Sequence, residues 1–223
     1  MRANMQLNTV QTITVWVLPV LFAITVHEVA HGYVAYLLGD KTARILGRLT
    51  LNPIKHIDLF GTILVPLVLL FLNTGVVLGW AKPVPINSRN LNKPRRDMAL
   101  IALAGPTSNL IMAVIWASIA KGAFILLALN FPGALAIYMM GVAGISINLM
   151  LMVLNILPIP QLDGGHIIAG LLPQALAIQY DRIAPYGFVI LLILLALGVI
   201  NVVMQPVINF LFALMGYVFG LSL

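Results

Sequence analysis

Residues 11–39 read QTITVWVLPVLFAITVHEVAHGYVAYLLG. This run exceeds the roughly 20 residues of helix that cross a hydrocarbon core of about 30 Å. Near its middle lies His27-Glu28-Val29-Ala30-His31, which holds the chain's only glutamate and two of its four histidines. An ionisable side chain at membrane depth costs about 2.5 kcal/mol or more on insertion scales, so three such groups in five residues require a compensating interaction. In a helix, residues four apart stand almost above one another, so His27 and His31 can offer imidazole nitrogens to one ion while Glu28 projects beside them. A polar cluster satisfied within a helix bundle is the alternative. It would require Glu28, with no cation nearby, to be protonated, whereas a metal and its water give that carboxylate both a partner and a task. The pattern therefore suggests zinc hydrolysis within a membrane.

Working outward, the rest of the chain is equally apolar. Hydrophobic residues make up 61% of the sequence, charged residues 8%, and the mean hydropathy is +1.07, which excludes an ordinary soluble domain. The expected class is an all-α polytopic membrane protein forming one integral-membrane domain over 1–223. A net charge of +6 raises nucleic acid as a partner, but the basic residues are confined to short connections between apolar runs, as topology-setting charges are. No nucleic-acid partner is expected. Without cysteine, any zinc must be held by histidine and carboxylate. Arg2 is the only basic residue before the first apolar run and no small-residue cleavage site follows it, so the first helix is expected to be retained.

Five stretches are long enough to span, near 11–39, 98–121, 134–157, 184–204 and 206–222, the last taken to begin after Pro206. A sixth, Leu59 to Trp80, is interrupted by Gly61, Pro66, Asn73, Thr74, Gly75 and Gly79, and fits a re-entrant segment as well as a span. Lys41, Arg44, Arg48 and Lys55 precede it, and Lys82, Arg89, Lys93, Arg95 and Arg96 follow it. A spanning segment would put these basic loops on opposite sides, against the positive-inside tendency, so re-entry is favoured. The expected topology has five to six transmembrane helices, an outside N-terminus, cytoplasmic basic loops and an inside C-terminus. Tyr180-Asp181-Arg182 suits an interfacial anchor.

Two connections suggest a small membrane-associated β element. Ala43 to Leu51 alternates, with Ile45, Gly47, Leu49 and Leu51 on one face and Arg44, Leu46, Arg48 and Thr50 on the other. Its edge offers a place for an unwound substrate to pair by main-chain hydrogen bonds, with a plain hairpin as the alternative. Lys82-Pro83-Val84-Pro85-Ile86-Asn87 is held extended by its prolines and reads as a strand edge or a loop.

A catalytic zinc usually takes three protein ligands and keeps one position for water. The candidate third ligand is Asp163, in Asn155-Ile156-Leu157-Pro158-Ile159-Pro160-Gln161-Leu162-Asp163-Gly164-Gly165, where prolines end a helix and glycines permit a close turn. A helix cap explains Asp163 equally well on spacing alone. His166, three residues on, is a candidate to orient it, although His56 and His166 also suit loop or helix-end positions.

HExxH in the first span, Ala104-Gly105-Pro106-Thr107-Ser108-Asn109 opening a later one, and the NxxPxxxxDG pattern from Asn155 to Gly164 together resemble the site-2 protease family of intramembrane zinc metalloproteases. The likeness runs from about His27 to His166. Arg48 to Pro53 and Lys82 to Pro85 look like the small members, so neither a PDZ domain nor a CBS pair is expected. The resemblance implies that His27, His31 and Asp163 bind one zinc ion per chain and that Glu28 is the catalytic acid/base. It also makes Asn155 a candidate to stabilise the oxyanion, against plain helix-end hydrogen bonding. Asn109 is read as a helix-packing amide.

The implied activity is hydrolysis of peptide bonds in or near transmembrane segments of membrane-protein substrates. His31 would lie on the order of 12 Å below the cytoplasmic surface, two helical turns from the end of its helix. The expected setting is the plasma membrane, multi-pass, with the active site opening toward the cytoplasm. A divalent-cation transporter and an inactive, substrate-binding relative are the competing readings. Transport has no need for a glutamate beside the first histidine.

Overall fold

A computed structural model describes residues 8–64, 67, 68, 71, 79–221 and 223. Among the described residues the secondary structure is entirely helical. The principal helices are α1 (Thr9–Leu37), the single turn α2 (Thr42–Ile45), α3 (Pro94–Ala128), α4 (Ala134–Ile156), α5 (Asp163–Leu171), α6 (Gln174–Ile183), α7 (Gly187–Ala196) and α8 (Val199–Phe219). Five helical stretches among the described residues are long and apolar enough to cross a membrane: Val10–Leu37, Pro94–Ala128, Ala134–Ile156, Gln174–Ala196 and Val199–Phe219. The protein is thus a multi-pass membrane protein. Large apolar side chains such as Phe210, Val202 and Val189 are exposed along these helices, as lipid-facing positions are.

Two boundaries differ from those expected. The apolar run anticipated over 184–204 is broken at Gly198, whose φ of +72° is a left-handed conformation that side chains disfavour. The break falls there and not at Pro206, which lies inside α8. Likewise Gly105-Pro106 does not open a helix. It lies within α3, which starts a dozen residues earlier with Pro94 in its first turn, while Asp97 accepts the Lys93 N–H at 2.8 Å.

The strand expected over 43–51 is also absent. Asp40 accepts hydrogen bonds from both the N–H and the hydroxyl of Thr42, which starts the helical turn α2, and Gly47 at φ +63° redirects the chain. With no partner to complete a ladder, the alternating pattern has no strand to stabilise. Lys82 to Asn87 forms no regular secondary structure, and its amides are taken up outside any ladder: Val84 N–H donates to Glu28, and Asn87 N–H to Asp40. The expected re-entrant segment, 59–80, lies partly outside the described residues. Its described part includes a π-helical turn, Leu59–Leu64, and a backbone hydrogen bond of 3.1 Å from Trp80 N–H to the Gly61 carbonyl.

The chain forms two compact units. One comprises residues 1–23, 107–155 and 189–223. Its interior carries two fully buried asparagines: Asn109 donates to Asn148 Oδ1 at 2.9 Å, and Asn148 donates to the Gly144 carbonyl at 2.9 Å. The other comprises residues 24–106 and 156–188 and contains the whole HExxH motif and Asp163. Ala35, Leu91 and Ile101 form an apolar cluster within it, joined by Val34, Leu38, Ile86 and Met98, so that α1 packs on the first turns of α3.

Candidate metal centre

Helical spacing places His27 and His31 one turn apart on α1, with ring centroids 4.6 Å apart and Nε2 atoms 3.1 Å apart. His31 Nδ1 lies 2.7 Å from the Ile101 carbonyl oxygen. A carbonyl can only accept, so Nδ1 carries the proton and Nε2 keeps its lone pair free for a ligand role. This contact from α3 orients the imidazole as outer partners of metal-binding histidines do. The close approach of α3 depends on Gly105, because a Cβ there would overlap both imidazoles.

Asp163 enters from α5. Leu162, not Asp163, occupies the N-cap position, and no side-chain cap bond forms. A Cβ at Gly164 would overlap the carbonyls of Ile156 and Leu157, so glycine lets α5 turn back tightly on the preceding loop. Asp163 Oδ2 then lies 3.3 Å from His27 Nε2 and 3.3 Å from His31 Nε2. That oxygen is buried and has no well-formed hydrogen bond. The three side chains offer ligand atoms all within 4.8 Å of one another, a group that could hold a metal ion.

Glu28, next in sequence to His27, accepts a 2.8 Å hydrogen bond from the Val84 main-chain N–H. Asn155 lies at the end of α4, in the other compact unit, where its amide donates to the Leu151 carbonyl at 2.9 Å. His166 makes no bond to Asp163 and instead lines a cavity with Ser88, Arg95 and Asp181. His56 is buried, with Nε2 2.9 Å from the Thr50 carbonyl oxygen. Three contributors were not anticipated: the Ile101 carbonyl, Gly105 as the residue that admits the imidazoles, and the Val84 amide. The first and third are backbone groups that no side-chain motif announces, whereas Gly105 sits in the quoted Ala-Gly-Pro run.

Known proteins share this arrangement of sequence. Peptidase family M50 matches over residues 15–139 and 128–198. The chain is 42% identical over 200 residues to a Bacillus subtilis (strain 168) protein named "Putative zinc metalloprotease YwhC", covering 86% of this chain and 85% of that protein. It is 30% identical over 186 residues to a Mycolicibacterium smegmatis protein named "Putative zinc metalloprotease Rip2", covering 81% of this chain and 66% of the relative. A Methanocaldococcus jannaschii protein named "Putative zinc metalloprotease MJ0611" is 41% identical over 68 residues, covering 30% of this chain and 31% of that protein. No solved structure matches. The chain belongs to peptidase family M50, the site-2 protease family of membrane metalloendopeptidases.

Proposed function

We propose that the protein is an intramembrane zinc endopeptidase that hydrolyses peptide bonds in or near transmembrane segments of other membrane proteins. One observation carries this reading. The two Nε2 atoms and Asp163 Oδ2 form a triangle with edges of 3.1, 3.3 and 3.3 Å. A tetrahedral zinc with bonds of about 2.0–2.1 Å separates its ligand atoms by about 3.3 Å, so the triangle fits one face of that tetrahedron. The buried Asp163 Oδ2 without a hydrogen bond supports the same reading, since such an atom is costly unless a cation satisfies it.

His27, His31 and Asp163 would hold one zinc ion per chain and leave a fourth position open. Zinc bound there supplies a Lewis acid that polarises a peptide carbonyl and acidifies water toward a pKa of about 7. Glu28 takes the proton from the attacking water as the C–O bond forms. It returns that proton to the amine nitrogen as the C–N bond breaks. Asn155 is the candidate oxyanion donor, a role worth roughly 3 kcal/mol for comparable donors and one that requires its amide to turn away from Leu151.

For topology, we infer that residues 59–80 re-enter the membrane face they leave. The Trp80 to Gly61 backbone bond supports this, because a spanning segment would hold its ends about a bilayer thickness apart. The basic residues at 41–55 and 82–96 then share one face, which the positive-inside tendency makes cytoplasmic. On that orientation the site opens toward the cytoplasm; we place the protein in the plasma membrane, with single-span proteins in the same bilayer as its substrates.

The test is purification in detergent, zinc quantification, and incubation with a panel of single-span peptides, comparing wild type with Glu28→Gln. Stoichiometric zinc in both, with chelator-sensitive cleavage only by wild type, supports the peptidase. Stoichiometric zinc with no cleavage of any peptide favours transport or substrate binding.

A further inference from the structure

The segment Lys82-Pro83-Val84-Pro85 lies against the catalytic helix, and its sequence presets its shape. Pro83 and Pro85 have no N–H, and each biases the residue before it toward extended backbone. Between Lys82 and Ile86 one amide donor remains, that of Val84, and it donates to Glu28 Oε2 at 2.8 Å. The segment is anchored on both sides of this bond. Lys82 N–H donates to the His56 carbonyl at 2.9 Å, Arg48 Nη2 donates to the Lys82 carbonyl at 2.9 Å, and Asn87 N–H donates to Asp40 Oδ2 at 2.7 Å. Val84 itself is only 5% exposed and lies on Gly32, one turn beyond Glu28, where a Cβ would come within 2.8 Å of Val84 Cγ1.

We propose that the Pro83-Val84-Pro85 segment is the positioning element of Glu28, with the Val84 main-chain N–H as the group that orients the carboxylate. A glutamate side chain has several rotatable bonds, and an unrestrained one would sample many orientations. A donor fixed in the backbone between two prolines pins Oε2 and thereby directs Oε1, without any reorganisation at the moment of proton transfer. The inference rests on the reading of Glu28 as the acid/base.

The test replaces Val84 by the corresponding α-hydroxy acid, 2-hydroxy-3-methylbutanoic acid, through an amber codon. The side chain stays and the N–H becomes an ester oxygen. Zinc content, kcat and KM are measured on the full chain in detergent with a single-span peptide. The expected result is a fall in kcat of about ten- to a hundredfold, with zinc content and KM within about twofold of wild type. Valine inserted at the same codon restores kcat, and the equivalent ester at Ile86 leaves it near the wild-type value. An unchanged kcat in the zinc-loaded ester variant overturns the proposal, and so does a loss confined to zinc content or to KM. Should the ester variant fail to fold, Pro85→Gly relaxes the same backbone: lower kcat with zinc retained supports the proposal, and unchanged kcat overturns it. Glu28→Gln is run in parallel. If it cleaves like wild type, the acid/base assignment has failed, a result distinct from any outcome at Val84.

Discussion

Two buried polar clusters, one in each compact unit, are satisfied in opposite ways. In the unit containing 107–155, Asn109 and Asn148 are wholly buried and form a chain of bonds of 2.9 Å that ends on the Gly144 carbonyl. In the unit containing the HExxH motif, two imidazoles and a carboxylate converge, and one buried oxygen has no well-formed hydrogen bond. A closed amide network is what a helix bundle uses to fix its packing, whereas a crowded set of lone pairs needs a cation or a proton among them. Burial alone therefore does not identify a site. The distinguishing feature is whether the polar atoms can satisfy one another.

The sharpest way to break this contrast is to attack the chemistry alone. Glu28→Gln is expected to lower cleavage of a single-span peptide by about 10²- to 10⁴-fold, the usual contribution of a general acid/base, with zinc per chain unchanged by atomic absorption. Retained cleavage would leave the open cluster without its proposed task.

Next come the groups that shape the cluster. Gly105→Ala adds a methyl that overlaps both imidazoles, so competition against a chelator is expected to show zinc affinity lowered about 10- to 100-fold. Asn109→Leu strikes the closed network instead. It leaves Asn148 Oδ1 without its donor, and thermal unfolding in detergent is expected to report a loss of about 1–3 kcal/mol with zinc stoichiometry unchanged in the folded fraction. If Asn109→Leu removed zinc and Gly105→Ala did not, the contrast between the units would be reversed.

Asp40 gives the smallest effect and a pH signature. Burial opposes its ionisation, but hydrogen bonds from Thr42, Asn90 and Asn87 outweigh it and lower the carboxyl below the usual carboxylate range. Because the folded value is depressed, the stability it contributes is fully present above the unfolded value of about 3.9 and is lost as pH falls through the folded value. Asp40→Asn is expected to lower stability at neutral pH by about 1 kcal/mol and to flatten the acid limb of a denaturation series, leaving the zinc site intact.

How much of this was legible in the sequence depends on what kind of group carries each feature. The spacing of His27 and His31 fixes their shared helix face, so their convergence needs no tertiary information. Asp163 was ambiguous on spacing, because a carboxylate before two glycines suits a cap as well as a ligand. Its Oδ2 lies beside both Nε2 atoms, and no cap bond forms. The alternation over 43–51 misled because it records side-chain pattern and not the availability of a strand partner, and Asp40 redirects the chain into α2. Pro206 looked like a helix start, yet it lies inside α8, and the chain turns instead at Gly198, where glycine accepts the left-handed conformation. The Ile101 carbonyl and Val84 amide had no side-chain signature at all.

The most direct test of the central claim is X-ray absorption at the zinc edge of the purified, zinc-loaded protein, compared with Asp163→Ala. The account predicts a four-coordinate ion with two imidazole nitrogens and oxygen ligands at about 2.0–2.1 Å, and a changed oxygen shell with weakened zinc retention in the variant. A spectrum without imidazole scattering, or one identical in wild type and Asp163→Ala at equal zinc content, would contradict it.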